Sequence, residues 1–541
     1  MTMKLKNIFS AVAAAAMLTA CVGDLNTIPL NETDVTSETA YGADEAGYVQ
    51  GLTKIYFQLV SNNTQDLQVA DGGASEFIRA FWSTQEVTAD AAKCAWGDAW
   101  VNDLNNNTWK GDVLNDAVYA VYVRTLQGIT YVNEYLRQTS DANLDLRGCS
   151  ADVKAKVQEY RAEARFLRAF FYWAAMDTFG QVPFSTEHTQ FGGGYNPPQA
   201  PAAEIFDFIV SELKDLASDG SAMPAAQSNY PRADKGSVLG LLARVYLNAE
   251  VYTGTAMWAE AKATCENIYS LGYALAPTHA ELFRGDNGEN PDAKKEMLFA
   301  ASYNAEHTQS YGGTTYLTLS TLSGDDGAVN IIGINGGWAG NRVPDHYVQT
   351  YFAPTAADFA TGDYTIADKR AYFYIKGRSQ SMQDNLNTFL NGWSCIKFNN
   401  VPHDKEAVDY AATAATKNFS DIDWPLIRLG EIHLIYAEAC MHAGGDASAQ
   451  VAALAQRAGV AAPKTIDADF LMAERARELM WEAHRRTDLI RYGKWISGYN
   501  WTYKGGNFGG QDLPEHFNVF PVPSTELATN LDLDQNPGYA R

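Results

Sequence analysis

The residue with the clearest chemistry is Cys21, which follows the small residues Thr19 and Ala20. Ahead of it stand a positive stretch at Lys4 and Lys6 and an apolar run from Ile8 to Leu18. So short a run does not span a bilayer, and residues 1–20 read as a secretory signal peptide. A thiol at the cleavage point can be diacylated and become the new N-terminus. Cys21 is therefore the expected lipidation site, and acyl chains there hold a domain on a membrane without a transmembrane helix. No later stretch is long and apolar enough to cross a membrane. The other five cysteines (Cys94, Cys149, Cys265, Cys395 and Cys440) are widely spaced with no Cys-x-x-Cys pair. They are expected to be packing residues rather than a zinc site.

Catalytic patterns are missing from the sequence. The nine histidines form no HExxH, and there is no GxSxG or P-loop. A glycosidase needs two carboxylates at a defined separation, and no Asp or Glu here sits in a motif that singles it out. The chain is therefore expected not to be an enzyme. Its net charge of −23, with no basic block, excludes nucleic acid, whose binding requires phosphate neutralisation. One loop, Asp286-Asn287-Gly288-Glu289-Asn290-Pro291-Asp292, sets oxygen atoms at alternate positions, as calcium prefers. Asn290 and Asp292 are candidate ligands there, against the plainer reading of a solvated turn.

Aromatic residues are plentiful: 12 Trp, 29 Tyr and 24 Phe. Those outside helical runs are informative, because a ring in a loop needs a reason to be there other than the core. Trp338, between Gly337 and Gly340, is such a ring. Trp100 and Trp109 lie in the asparagine-rich segment GDAWVNDLNNNTW (97–109).

The elements that must position these residues are mostly helical. Val157, Tyr160, Ala164, Leu167, Phe171 and Ala174 recur in steps of three and four, and Gly180 ends the pattern. Arg161, Glu163, Arg165 and Arg168 lie off that stripe. Further helices are expected from Ala233 to Asn248, Trp258 to Ile268, around Leu429 to Ala439, and from about Asp467 to Tyr492. Paired helices with alanines at their crossings look like degenerate tetratricopeptide units. Residues from about 285 to 425 are rich in Gly, Asn, Thr and aromatics and read as loops with short strands. The expected architecture is mainly α: a helical scaffold over about 40–285 and 425–495, carrying a loop-rich insertion. Loops on a rigid frame are where binding residues usually sit.

Seven segments in order resemble the SusD/RagB family of outer-membrane lipoproteins. They are the Cys21 lipobox with Asp24-Leu25, EARFLRAFFYW (163–173), FGQVPF (179–184), RADKGSVLGLLARVYLN (232–248), DWPLIRLGEIHLIYAEA (423–439), ERARELMWEAHRRTDLIRYGKW (474–495), and FPVPSTEL (520–527) with QNPGY (535–539). The similarity is closer to the family's starch-binding member than to the family at large, through YGGTTYL (311–317) and NGGW (335–338). Residue by residue, it implies Trp96, Tyr311 and Trp338 as rings that stack on sugar, with Asp71 and Arg79 as polar contacts. An Asp–Arg pair is also a common structural salt bridge. The family's contacting asparagine falls on Ala99, with Asp98 or Asn102 nearby as replacements. What the resemblance implies is a surface lipoprotein that binds starch-like oligosaccharide and hands it to a SusC-like TonB-dependent transporter in the outer membrane. The alternative is the same fold binding another glycan, or peptides, for import.

Overall fold

Helix formation follows the apolar spacing along most of the chain. The computed structural model describes residues 40–541 apart from 63–66, 68, 70, 191–194, 359–361 and 384; the signal-peptide segment and Cys21 lie outside the described residues. The helices that build the frame are α1 (Glu45–Val60), α2 (Phe77–Trp82), α3 (Ala99–Asn106), α4 (Asp116–Gln138), α5 (Ala151–Phe179), α6 (Ala202–Ala217), α7 (Lys235–Leu247) and α8 (Trp258–Tyr269). After the short α9 (Gly313–Leu319) come α10 (Leu429–Ala443), α11 (Ser448–Ala458), α12 (Ala468–Glu478) and α13 (Arg485–Arg491). From α4 onward the helices pack in succession: α4 on α5, α5 on α6, α6 on α7, α7 on α8, then α8 on α10 and α10 on both α11 and α12. That is the stacking expected of degenerate helical repeats, in which no single pair can bury its apolar face alone.

Helix α5 shows why the pattern was readable. Ser150 caps it, accepting from the Val153 N–H at 3.2 Å. Gly180, at φ +71°, takes the left-handed turn that stops it. All six residues of the stripe are buried, but the burial goes further than one stripe. From Phe166 to Phe179 every side chain is buried, including Arg168, so this half of the helix runs through the core. Off the stripe, Glu163 pairs with Arg232, and Arg168 pairs with Glu187 and with Glu212 at 2.9 Å.

The expected single helix from 467 to 492 is broken. It stops at Glu478 and resumes at Arg485, with Trp481 and Ala483 at φ +65° and +63° between. Tertiary partners replace the intrahelical bonds there. The Met480 carbonyl accepts from Lys397 at 2.6 Å, the Trp481 carbonyl accepts from Trp82 Nε1 at 3.1 Å, and Trp481 Nε1 donates to the Ala91 carbonyl at 2.9 Å. The charges on this segment meet partners inside the protein. Arg428 reaches Glu296 (3.0 Å), Glu478 (2.7 Å) and Glu482 (2.6 Å), while Arg485 pairs with Asp90 at 2.7 Å. Burial opposes ionisation of Glu478, but Arg457, His279, Arg428 and Arg370 around it outweigh this and hold its carboxyl well below the usual range.

Two antiparallel ribbons carry the loop-rich region. β2 (Met297–Ala301) pairs with β4 (Trp424–Arg428), closing the region at its base against α7. Gly240 of α7 permits the approach, since a Cβ there would lie 2.6 Å from the Ile427 side chain. The second ribbon joins β1 (Lys93–Cys94) to β3 (Asn341–Arg342). The five cysteines described are free and buried, as packing residues should be. Among the described residues, no helix is long and apolar enough to cross a membrane.

Candidate functional site

The β1–β3 ribbon brings the chain near residue 95 beside the loop at 338–340. The Ala95 N–H donates to the Gly340 carbonyl at 2.8 Å. The Trp338 and Ala339 N–H groups donate to the Leu319 and Leu322 carbonyls at 2.8 and 3.0 Å, which straps the loop over the end of α9. Gly340 cannot be larger: a Cβ would lie 2.8 Å from the Trp96 ring. The other end of α9 is tied to α2 by Glu76. Its carboxylate accepts from the Arg79 N–H (2.7 Å) and the Gly313 N–H (2.9 Å), and from the Tyr303 hydroxyl. Burial pushes the Glu76 carboxyl up to about 7, although these three donors pull it down.

Three rings come together on this support. Tyr311, in the turn before α9, is 54% exposed. Its centroid lies 6.1 Å from that of Trp338, with the planes tilted by 54°. Trp96 is held alongside by its Nε1, which donates to the Trp338 carbonyl at 3.0 Å. Trp96 and Trp338 are both half-buried, so each keeps part of its ring for solvent.

The polar pair behaves differently from the expectation. Arg79 is only 2% exposed: its guanidinium lies 4.4 Å from the Tyr316 ring centroid and 5.3 Å from that of Trp96. It donates to Asp71 and, at 3.4 Å, to the Tyr311 carbonyl. Expected as a polar contact at the surface, Arg79 is instead a strut beneath the rings, because the aromatic side chains close over it. Asp71 keeps 43% of its side chain exposed and also accepts from the Gly73 N–H at 2.9 Å. It remains an outward-facing acceptor.

Other candidates separate clearly. Trp100 and Trp109 are buried, and Trp109 packs on Phe517 and Phe520 with its Nε1 donating to Tyr539. They are core residues, although their asparagine-rich segment reads as a loop in the sequence. Ala99 is the exposed first residue of α3, and Asp98 before it makes no capping bond with its side chain.

Sequence reasoning missed two residues here. Asn387 is exposed, and its amide donates to the carbonyls of Ala95 and Trp96 (3.2 and 3.3 Å) and to Asn102 Oδ1 (3.4 Å). Phe419 lies 5.4 Å from Tyr311, centroid to centroid. An aromatic between Asn418 and Ser420, outside any helical stripe, was the available signal for Phe419; Asn387 had none beyond its asparagine-rich loop.

The expected calcium ligands are engaged otherwise. Asn290 Oδ1 caps a short helix by accepting from the Asp292 N–H at 2.9 Å, and Asp292 pairs with Lys295 at 3.2 Å. The carboxylates of Asp286, Glu289, Asp421 and Asp423 line a neighbouring cavity of about 570 Å³, together with Lys294 and Lys417. Asp286 already pairs with His403 and Asp421 with Lys417, so two of the four carboxylates are balanced within the protein. Asn290 and Asp292 therefore do not fit a calcium-ligand role. The apolar groove between α1 and β2, lined by Leu52, Tyr56, Phe57 and Ala300, contains none of the ring residues.

The fold and the candidate site together present an open surface of tilted rings on a helical stack. Comparison with known proteins gives its family. Residues 273–539 match the family model described as the SusD family, and residues 58–247 match one described as starch-binding associating with outer membrane. The chain is 30% identical to the starch-binding protein SusD of Bacteroides thetaiotaomicron, over 99% of this chain and 100% of that one. It belongs to the SusD family. Among solved structures, a SusD superfamily protein from Parabacteroides distasonis superposes with a TM-score of 0.69 at 20% identity, covering 94% of this chain and 100% of that one. A laminarin binding SusD-like protein gives 0.65 at 18% identity, over 92% and 100%.

Proposed function

We propose that this protein is a cell-surface glycan-binding lipoprotein, anchored through Cys21, that captures starch-like α-glucan oligosaccharides. It delivers them to a TonB-dependent outer-membrane transporter resembling SusC. The observation that carries the reading is the tilted, solvent-facing pair Tyr311–Trp338 with Trp96 locked beside it. Sugar rings present apolar C–H faces edged by hydroxyls. An aromatic ring covers the face, and each face covered is worth about 1–2 kcal/mol at roughly 25 cal/mol per Å². Rings set at an angle suit a curved helical glucan better than a flat chain. Asp71 and the amides of Asn102 and Asn387 supply hydroxyl partners at the edge. The name of the Bacteroides relative, a starch-binding protein, supports the same substrate. Capture beside a transporter raises the local ligand concentration without any catalysis.

Ala99 favours a second reading, in which the platform takes a different glycan, because the family's asparagine is absent there. Calorimetry with maltoheptaose, a cyclodextrin and a β-linked glucan separates the two, alongside a reducing-end assay on starch and pullulan. The expected outcome is binding of the α-glucans with no release of reducing ends. Binding of the β-glucan alone overturns the substrate assignment, and sustained turnover that copurifies with the protein overturns the binding-protein reading.

A further inference from the structure

The Tyr311 ring has an aromatic neighbour on each of two contacts, Trp338 at 6.1 Å and Phe419 at 5.4 Å, tilted by 54° and 48°. Phe419 belongs to neither helix nor strand and is half-buried, so part of its ring faces solvent. Its segment is fixed to α9, the helix that follows the Tyr311 turn. The Ser420 N–H donates to Thr315 Oγ1 at 3.0 Å, and Thr314 Oγ1 donates to the Ile422 carbonyl at 2.8 Å, both threonines lying on α9. It is also tied to the Trp338 loop, since the Asn335 N–H donates to the Lys417 carbonyl at 2.9 Å and the Asn335 amide to Asn418 Oδ1 at 3.3 Å. Asn335 and Asn418 are exposed. Rings flanked by amides thus occur at this end of the platform, as they do around Trp96 with the half-buried Asn102 and the exposed Asn387.

We propose that Phe419 is a fourth ring of the platform, extending it past Tyr311 so that long oligosaccharides gain a contact that short ones do not reach. The proposal rests on the α-glucan reading above. A ring in this position can alternatively act only by supporting Tyr311, and ligand length tells these roles apart. Support through Tyr311 affects every ligand that touches Tyr311, whereas an end subsite affects only ligands long enough to reach it.

The experiment is calorimetry of wild type, Phe419→Ala, Phe419→Tyr and Tyr311→Ala with maltotriose and maltoheptaose, beside melting curves. Phe419→Ala is expected to weaken maltoheptaose roughly five- to tenfold, the scale of a partly buried aromatic contact. Maltotriose should stay within about twofold of wild type, and Phe419→Tyr should restore the longer ligand. Equal loss for both lengths, or no loss for either, overturns the fourth-ring role while leaving the function reading intact. Wild-type protein that binds neither oligosaccharide overturns both.

Discussion

Trp338 and Trp173 carry the same indole and differ in everything around it. Trp173 lies on α5 with its ring against Phe81 and Phe170 at 5.7 and 5.4 Å. Trp338 sits in a loop, half-buried, with Tyr311 as its ring neighbour. Truncating Trp338 to alanine removes the proposed contact face and less packing than Trp173 provides, since Trp338 is only partly buried against the core. Binding of maltoheptaose should weaken by ~1–3 kcal/mol, roughly tenfold or more, with the melting temperature nearly unchanged. Trp173→Ala should do the reverse, costing about 3–5 kcal/mol of stability through the cavity it leaves. Calorimetry beside a thermal melt reads both, and loss of binding without loss of stability in Trp173→Ala would contradict the division. Trp96→Ala and Tyr311→Ala should resemble Trp338→Ala, but their losses need not add, because one ligand spans them.

At the scale of elements, the site depends on α2 and α9 being held together, and Glu76 does this from beneath. Its folded pKa is raised, from 4.5 to about 7, by burial. A raised acid keeps its proton in the folded state at pH values where the unfolded chain has already lost it. The stability that this linkage contributes is therefore complete below about pH 4.5 and lost as pH rises through about 7. At ~1.4 kcal/mol per pH unit the difference is on the order of 3 kcal/mol. Glu76→Gln cannot titrate. The stability of wild type relative to Glu76→Gln should therefore fall between pH 4.5 and 7, as measured by urea denaturation at several pH values. A difference that stays flat, or rises with pH, would show that the carboxyl is ionised throughout. Because Glu76 accepts from the Gly313 N–H directly after the Tyr311 turn, maltoheptaose affinity should follow the same trend.

At the scale of the whole molecule, the proposed function needs the ring platform to be held in one place. Buried ion clusters around Arg428, Arg370 and Glu478 join the loop-rich region to α12. Removing one partner of such a cluster strands the others, a cost of about 3–5 kcal/mol. The proposed function places the protein at the cell surface through the thiol of Cys21. Cys21→Ala should abolish incorporation of labelled fatty acid and release the protein from membranes, while the purified domain keeps its α-glucan affinity. Unchanged labelling and membrane retention in that variant would remove the lipoprotein assignment.

The local features were determined by sequence alone. Helix α5 was legible because its apolar spacing and the stop at Gly180 are properties of one continuous segment. The cysteines were legible as packing residues from their spacing, and the Trp96, Tyr311 and Trp338 group through resemblance of short motifs. Tertiary structure decided the rest. The break at Trp481 comes from partners at Trp82, Ala91 and Lys397, none of which a helical period can register. Arg79 becomes a buried strut because Trp96 and Tyr316, distant in sequence, close over it. Trp100 and Trp109 look like loop rings in sequence and pack in the core, since exposure depends on what folds against a segment. Asn387 and Phe419 meet the rings through residues far away in sequence, Asn387 through Ala95, Trp96 and Asn102, and Phe419 through Tyr311, 108 positions away. Periodicity reports which face of an element is apolar; it carries nothing about which loops meet, and the candidate site is made where loops meet.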